Sequence, residues 1–264
     1  MRVRAPATTA NLGPGFDCVA AALDLWNEVE VSEGSDVPPD PGHIGIRAFG
    51  LLASPEGLSF EWTDRIPRAR GLGSSAATIA LGLVAAARWT GEQLSLEDLL
   101  ARGAPLEGHS DNLAACLAGG VCLTWAGRIA HVADTLPLTP VAIVPQEKVK
   151  TAEARLALPD QVSHRDASFN VARAALLGAG VASGDPELLA AAFDDRLHQP
   201  YRPSRILDDL RGRLPAGAAG ATLSGSGPTV IVWAEDGAAC AAEVEQRFPD
   251  HEVLPLRVSP EGAH

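Results

Sequence analysis

Over residues 1–35, short β-prone runs alternate with turn residues. The segment VRAPATTANLGPGFD, residues 3–17, reads as a strand running into a Gly/Pro-rich turn. Asn27–Val31 alternates polar and apolar side chains as a half-buried strand does. Gly, Pro, Asp and Ser crowd residues 33–42 and predict a loop. A helix is expected over 44–53 and a short strand over 58–62, entering a second glycine-rich turn at 71–75. From Ala76 to Trp89 apolar residues fill most positions, as in a helix buried nearly all round, and Gly91 stands where a C-cap belongs.

Another helix is predicted over 95–103, and Leu113–Cys122 is small and apolar with a break at Gly119 and Gly120. Pro137 and Pro140 bracket the entry to a strand, Val141–Val144, and the chain divides best there, giving expected domains at 1–136 and 137–264. The second half predicts helices over 166–180, 186–197 and 204–213, then a third glycine turn at 224–228 and a strand, Thr229–Trp233. A helix over 236–247 and a strand over 251–257 close it. This mixed order with antiparallel hairpins points to an α+β fold rather than a doubly wound parallel sheet.

Composition narrows the function classes. The chain has 264 residues, 46% of them hydrophobic, enough for a sizeable core. A formal net charge of -12 repels phosphate backbones and anionic lipid heads, so nucleic acid and membranes are poor partners. Any anionic ligand must then be held by local cations and backbone N–H groups. No apolar run approaches the ~20 residues a bilayer span needs, and MRVRAPATTANLG has no signal-peptide core. Cys18, Cys116, Cys122 and Cys240 show no metal or redox spacing and read as buried free thiols. A cytoplasmic protein is expected.

The segment from Pro67 to Ala76 (PRARGLGSSA) carries the chemistry. Gly71 and Gly73 allow a tight turn and a close backbone approach to a ligand. Ser74 and Ser75 are good N-cap residues for the helix that follows. Free N–H groups, two hydroxyls and a positive helix end thus meet at one point, an anion site whose commonest biological occupant is a triphosphate. No Lys follows the glycines, so this is not a Walker A loop, and the third glycine of a dinucleotide fingerprint is missing. Two further turns, NLGPGFD at 11–17 and SGSGP at 224–228, strengthen the reading.

Taken in order, these three segments resemble the GHMP kinase superfamily. PATTANLGPGFD, residues 6–17, is similar to the opening motif of its homoserine kinase branch. EGHSDN at 107–112 resembles the family's E-G-H-x-D-N, and Thr151 with Ala154-Arg155, then Pro200-Tyr201-Arg202, resemble its T-x-x-A-R and P-Y-R segments. The resemblance implies a two-domain fold, with an N-terminal domain like ribosomal protein S5 and a C-terminal ferredoxin-like domain. It also implies a homodimer and ATP-dependent phosphorylation of L-homoserine, a step in threonine biosynthesis.

The resemblance further implies residue roles. The loop of Pro67, Arg70, Gly71, Leu72, Gly73, Ser74, Ser75 and Ala76 would wrap the ATP phosphates. A hydroxyl of Ser74 or Ser75 and the carboxylate of Glu107 would hold Mg²⁺, which prefers hard oxygen ligands. Asn11 and Asp17 would hold the hydroxyl and ammonium of the amino acid, and His109, Arg155 and Arg202 its carboxylate. Ser224, Gly225, Ser226 and Gly227 would pack beside the site. Asp111 is expected at the site, where some superfamily members have a catalytic aspartate, with its role as a base left open. His43 stands where the family usually has Asn beside the adenine pocket. Arg68 replaces a usual apolar residue, either adding a cation near the phosphates or decorating the surface. His131, His164, His198, His251 and His264 belong to no constellation in the sequence.

Overall fold

The protein is described by a computed structural model covering residues 1–34, 38–149 and 151–264. Of the loop expected at 33–42, positions 35–37 lie outside the described residues, as do the side chains of Thr151 and Ala152.

β1 (Arg2–Asn11) turns at 12–14 into β2 (Gly15–Glu33), and the two pair antiparallel along their length. After α1 (Ile44–Phe49), β3 (Leu58–Thr63) pairs with the distal part of β2. Three helices follow: α2 (Ser74–Thr90), α3 (Leu96–Glu107) and α4 (Asp111–Ala118). β4 (Val121–Trp125) then pairs with Val19–Ala21, and β5 (Arg128–Ala133) closes the first sheet on β4. At 19 residues, β2 is long enough to carry β4 and β3 one after the other.

β6 (Thr139–Val144) begins a second antiparallel sheet. α5 (Thr151–Leu156), α6 (His164–Ser183), α7 (Pro186–Ala192), a 3₁₀ turn (Gln199–Tyr201) and α8 (Arg205–Gly212) come next. β7 (Ala218–Leu223), β8 (Val230–Ala234), α9 (Gly237–Arg247) and β9 (Glu252–Pro255) complete it, in the order β7-β8-β6-β9. Side chains alternate across a strand, and here both faces are buried. Val230 and Val232 pack with Ile206, Leu210 and Val244 of α8 and α9, whereas Ile231 and Trp233 join the main core with Leu177, Leu189 and Phe193.

That main core also holds Val3, Leu23, Leu83 and Leu113, so it runs without interruption from the first sheet and its helices to the second sheet. Beyond β9 the chain returns to the first sheet. Ser259 N–H donates to the Ala22 carbonyl at 2.9 Å, and Arg4 and His264 exchange backbone bonds at 2.7 and 2.9 Å.

The α+β reading holds, with local corrections. The helix expected over 44–53 ends at Phe49, and 50–53 form turns. That expected over 95–103 continues through Pro105 to Glu107, because Gly103 lets the helix seat against Leu113, Leu83 and Ile79. That expected over 186–197 stops at Ala192, where the buried Asp195 carboxylate takes the amides of Leu197, His198 and Gln199 and bends the chain into the 3₁₀ turn. All four cysteines are free, but Cys18 is only half-buried. No helix among the described residues is long and apolar enough to cross a membrane.

Candidate active site

Two glycine turns dock backbone to backbone. Gly71 has φ 85°, and a Cβ there would lie 2.5 Å from the Ser224 carbonyl oxygen and 2.9 Å from that of Gly227. Ser224 Oγ donates to the Gly71 carbonyl at 2.6 Å, and Thr229 N–H donates to the Arg70 carbonyl at 3.2 Å. The turn at 224–228 therefore fixes the shape of the loop at 67–76, while Gly225 N–H ties it to the Ala10 carbonyl at 3.1 Å.

Ser74 and Ser75 are not the caps of α2. Gly73 is, in the left-handed region at φ 67°, ψ 23°. A residue with a Cβ would collide with Thr8 there. The two serines are instead the first helical residues, so their hydroxyls are free for other work. The amides of a first turn have no intrahelical partner, which leaves an N–H cradle at the positive helix end.

That cradle is one wall of a cleft lined by Asn11, Asp17, Arg70, Gly71, Gly73, Ser74, Ser75, Glu107, His109, Asp111, Arg155, Arg202, Gly225 and Ser226, all expected from the sequence. Ser75 Oγ donates to Glu107 Oε2 at 2.6 Å. The Glu107 side chain is only 7% exposed, and burial pushes its pKa up against the Ser75 bond and the nearby His109. His109 Nδ1 lies 3.1 Å from Asp111 Oδ1. Burial opposes protonation of His109, but that bond and the charges of Asp111 and Glu107 outweigh it and raise its pKa. Asp111, buried in the first turn of α4, also accepts from Asn112 N–H at 2.7 Å.

The opposite end of the cleft holds the cations. Asp17, at φ 58°, forms a two-pronged ion pair with Arg155 of α5 at 2.7 and 2.8 Å. Asp17 hydrogen bonding raises the Arg155 pKa. Arg202 is 7% exposed, and burial lowers its pKa. Its Nη1 donates to the Gly225 carbonyl at 3.0 Å, and its buried Nε has no partner among the described residues. Asn11 Nδ2 donates to the same carbonyl at 2.9 Å, while its Oδ1 accepts from Asp17 N–H at 3.0 Å.

Some expected residues lie off the cleft. Leu72 and Ala76 are core residues, and Pro67 lines a neighbouring groove with Lys148. Ser224 and Gly227 support the loop from behind. His43 lines a separate pocket with Ile46, Phe60 and Trp62, its ring 4.4 Å from that of Trp62 and its Nδ1 unpartnered. Arg68 pairs with Asp64 at the surface and lines the same neighbouring groove as Pro67 and Arg70.

Sequence reasoning missed Asn112, Ala69 and Val149 in the cleft wall. Asn112 closed the quoted EGHSDN segment and Ala69 lay within PRARGLGSSA, whereas Val149 belonged to no quoted motif. His198, read as an isolated histidine, is fully buried directly behind Arg202.

Residues 44–120 match the family model for the GHMP kinases N terminal domain, and residues 174–250 match GHMP kinases C terminal. The homoserine kinase of Streptomyces coelicolor is 43% identical over 262 residues, covering 89% of this chain and 84% of that protein. This chain belongs to the homoserine kinase family of GHMP kinases. Its fold agrees. The homoserine kinase structure from Cytophaga hutchinsonii superposes with a TM-score of 0.84 at 26% identity, covering 100% of this chain and 96% of that one. The mevalonate kinase of Methanococcus jannaschii shares the fold alone, with a TM-score of 0.71 at 15% identity and 98% coverage of each chain. GHMP kinase membership brings with it the use of ATP.

Proposed function

We propose that this cleft phosphorylates the side-chain hydroxyl of L-homoserine, giving O-phospho-L-homoserine and ADP for threonine biosynthesis. The observation that carries the reading is convergence. One cleft joins a glycine-shaped helix start, a hydroxyl–carboxylate pair, and an acid flanked by two arginines.

The α2 N–H cradle and Arg70, whose buried Nη1 has no partner among the described residues, hold the phosphates. Ser75 and Glu107 fit Mg²⁺. They are hard oxygen donors 2.6 Å apart, and a carboxylate whose pKa burial has raised gains from a cation. Held by Ser75 and Glu107, the ion would supply positive charge that offsets that of the phosphates. The aromatic pocket at His43 and Trp62 receives the adenine.

At the other end Asp17 takes the α-ammonium, and Arg155, Arg202 and His109 the α-carboxylate. A half-exposed pair such as Asp17–Arg155 contributes roughly 0.2–1 kcal/mol, so a zwitterion that offers each partner a new counter-charge opens it at little cost. Asp111 orients the hydroxyl, whose oxygen bonds to the γ-phosphorus as the bond to the ADP oxygen breaks, and the hydroxyl proton passes to Asp111 if that group is the base and otherwise to a phosphate oxygen. Positioning and charge supply most of the acceleration in such transfers.

Two variants test these roles. Arg202→Ala raises KM for homoserine at least tenfold, the loss of a charged hydrogen bond of roughly 1.5–3 kcal/mol, and leaves KM for ATP within about twofold. An equal rise in both removes the carboxylate assignment. General-base catalysis is worth roughly a hundred- to ten-thousand-fold, so Asp111→Asn losing less than about tenfold in kcat leaves Asp111 as an orienting group, and a larger loss makes it a base.

A further inference from the structure

His198 lies beneath the cleft, outside every role assigned so far. Its side chain is fully buried. Nε2 lies 2.7 Å from the Gly13 carbonyl oxygen, which only accepts, so Nε2 must carry the hydrogen. Nδ1 lies 3.1 Å from Arg202 Nη1, which only donates, so Nδ1 must be bare. The two contacts together select one neutral tautomer. Burial supports it by pulling the His198 pKa down against the charge of Asp195 and the Gly13 bond. The ring also stacks on Phe16, with centroids 5.1 Å apart, and Phe16 in turn lies under both Arg202 and Arg155, at 5.3 and 5.7 Å. The backbone of His198 is pinned independently, its N–H donating to Asp195 Oδ2 at 3.0 Å.

We infer that His198 is a positioning residue for amino-acid recognition, holding the Arg202 guanidinium through a bare Nδ1 while its Nε2–H anchors the first glycine turn. The inference rests on the proposed use of Arg202 for the substrate carboxylate. It adds that the aim of this arginine is set by a neutral imidazole rather than by an acid. A carboxylate in the place of His198 would satisfy the guanidinium and compete with the substrate for it. A neutral acceptor fixes the fork without adding a further negative charge in contact with it.

Two near-isosteric variants separate the two ring nitrogens. Asn places an acceptor oxygen near Nδ1, and Gln places a donor amide near Nε2. His198→Gln therefore keeps the Gly13 bond and loses the hold on Arg202, and KM for homoserine rises at least tenfold with KM for ATP within about twofold. His198→Asn keeps the hold on Arg202, and KM for homoserine stays within about threefold of wild type. A homoserine KM that moves equally in both variants, or an ATP KM that rises in step, overturns the inference in favour of simple packing. If neither variant folds, ¹⁵N NMR of the histidine-labelled wild-type protein at pH 7 decides. A proton on Nε2 with Nδ1 bare upholds the assignment, and a proton on Nδ1 refutes it. Wild-type protein without activity on homoserine would refute the substrate reading instead, a result distinct from all of these.

Discussion

Gly71 shows how one residue ties two distant segments into one wall of the cleft. Its positive φ and its contact with the Ser224 and Gly227 carbonyls impose separate demands, and Gly57 supplies the control, with φ 75° and nothing within 4 Å of a Cβ. An alanine forced to hold a left-handed conformation costs about 1–3 kcal/mol, and at Gly71 the collision adds to it. Gly71→Ala is expected to lower Tm further than Gly57→Ala and to weaken ATP binding at least tenfold, while Gly57→Ala leaves ATP binding unchanged. Equal losses in calorimetry and nucleotide titration would mean that the docking of the two turns is incidental. Asp17, Asn11 and Leu12 also hold positive φ. The strain is concentrated in the turn that presents Asp17, held there by the Asn11 bonds to Gly225 and to Asp17 N–H.

At the scale of elements, β2 organises the first sheet, and Glu28 pins three of its strands. Its carboxylate accepts from Arg2 of β1 and, at 3.0 Å, from Arg65 just after β3. Those hydrogen bonds, Arg65 first and then Arg2, lower its pKa below the ordinary 4.5. A depressed carboxylate stabilises the fold above the unfolded value, and that stabilisation disappears as pH falls through the folded value. Wild type is thus expected to exceed Glu28→Gln in stability at pH 7, with the gap closing below about pH 4.5. A gap unchanged down to pH 3 in urea titrations would rule the ion pairs out as its source.

Helices were legible where caps and apolar runs mark them, as at Ala76–Trp89 with Gly91. β7 (AAGATL) was not, because an edge strand built of small residues carries little β-branched signal. β4 and β5 were missed for lack of a clean alternation around the Trp125–Arg128 turn. The chemistry was legible because it lies in short contiguous motifs. Links between motifs were not. Asp17 and Arg155 are 138 positions apart, and His198 and Gly13 are 185 apart, so no local spacing reports them.

At the scale of the molecule, two antiparallel sheets share one core, and the segment after β9 ties back to β1 and β2, so the cleft walls belong to a single packed body. A net charge of -12 works against anionic ligands, and on the proposed reading the cleft answers it locally, with Arg70 and the α2 N–H cradle toward the phosphates and Arg155 and Arg202 toward the substrate carboxylate. On that reading the acceptor is selected by Asp17 rather than by the arginines. Mevalonate has a carboxylate for the arginines but no ammonium for Asp17, although mevalonate kinases share this fold. The most direct measurement is ADP release by the purified protein with ATP and Mg²⁺, comparing L-homoserine with mevalonate. The account predicts turnover with homoserine and background with mevalonate. Turnover with mevalonate, or ADP release that ignores homoserine, would contradict it.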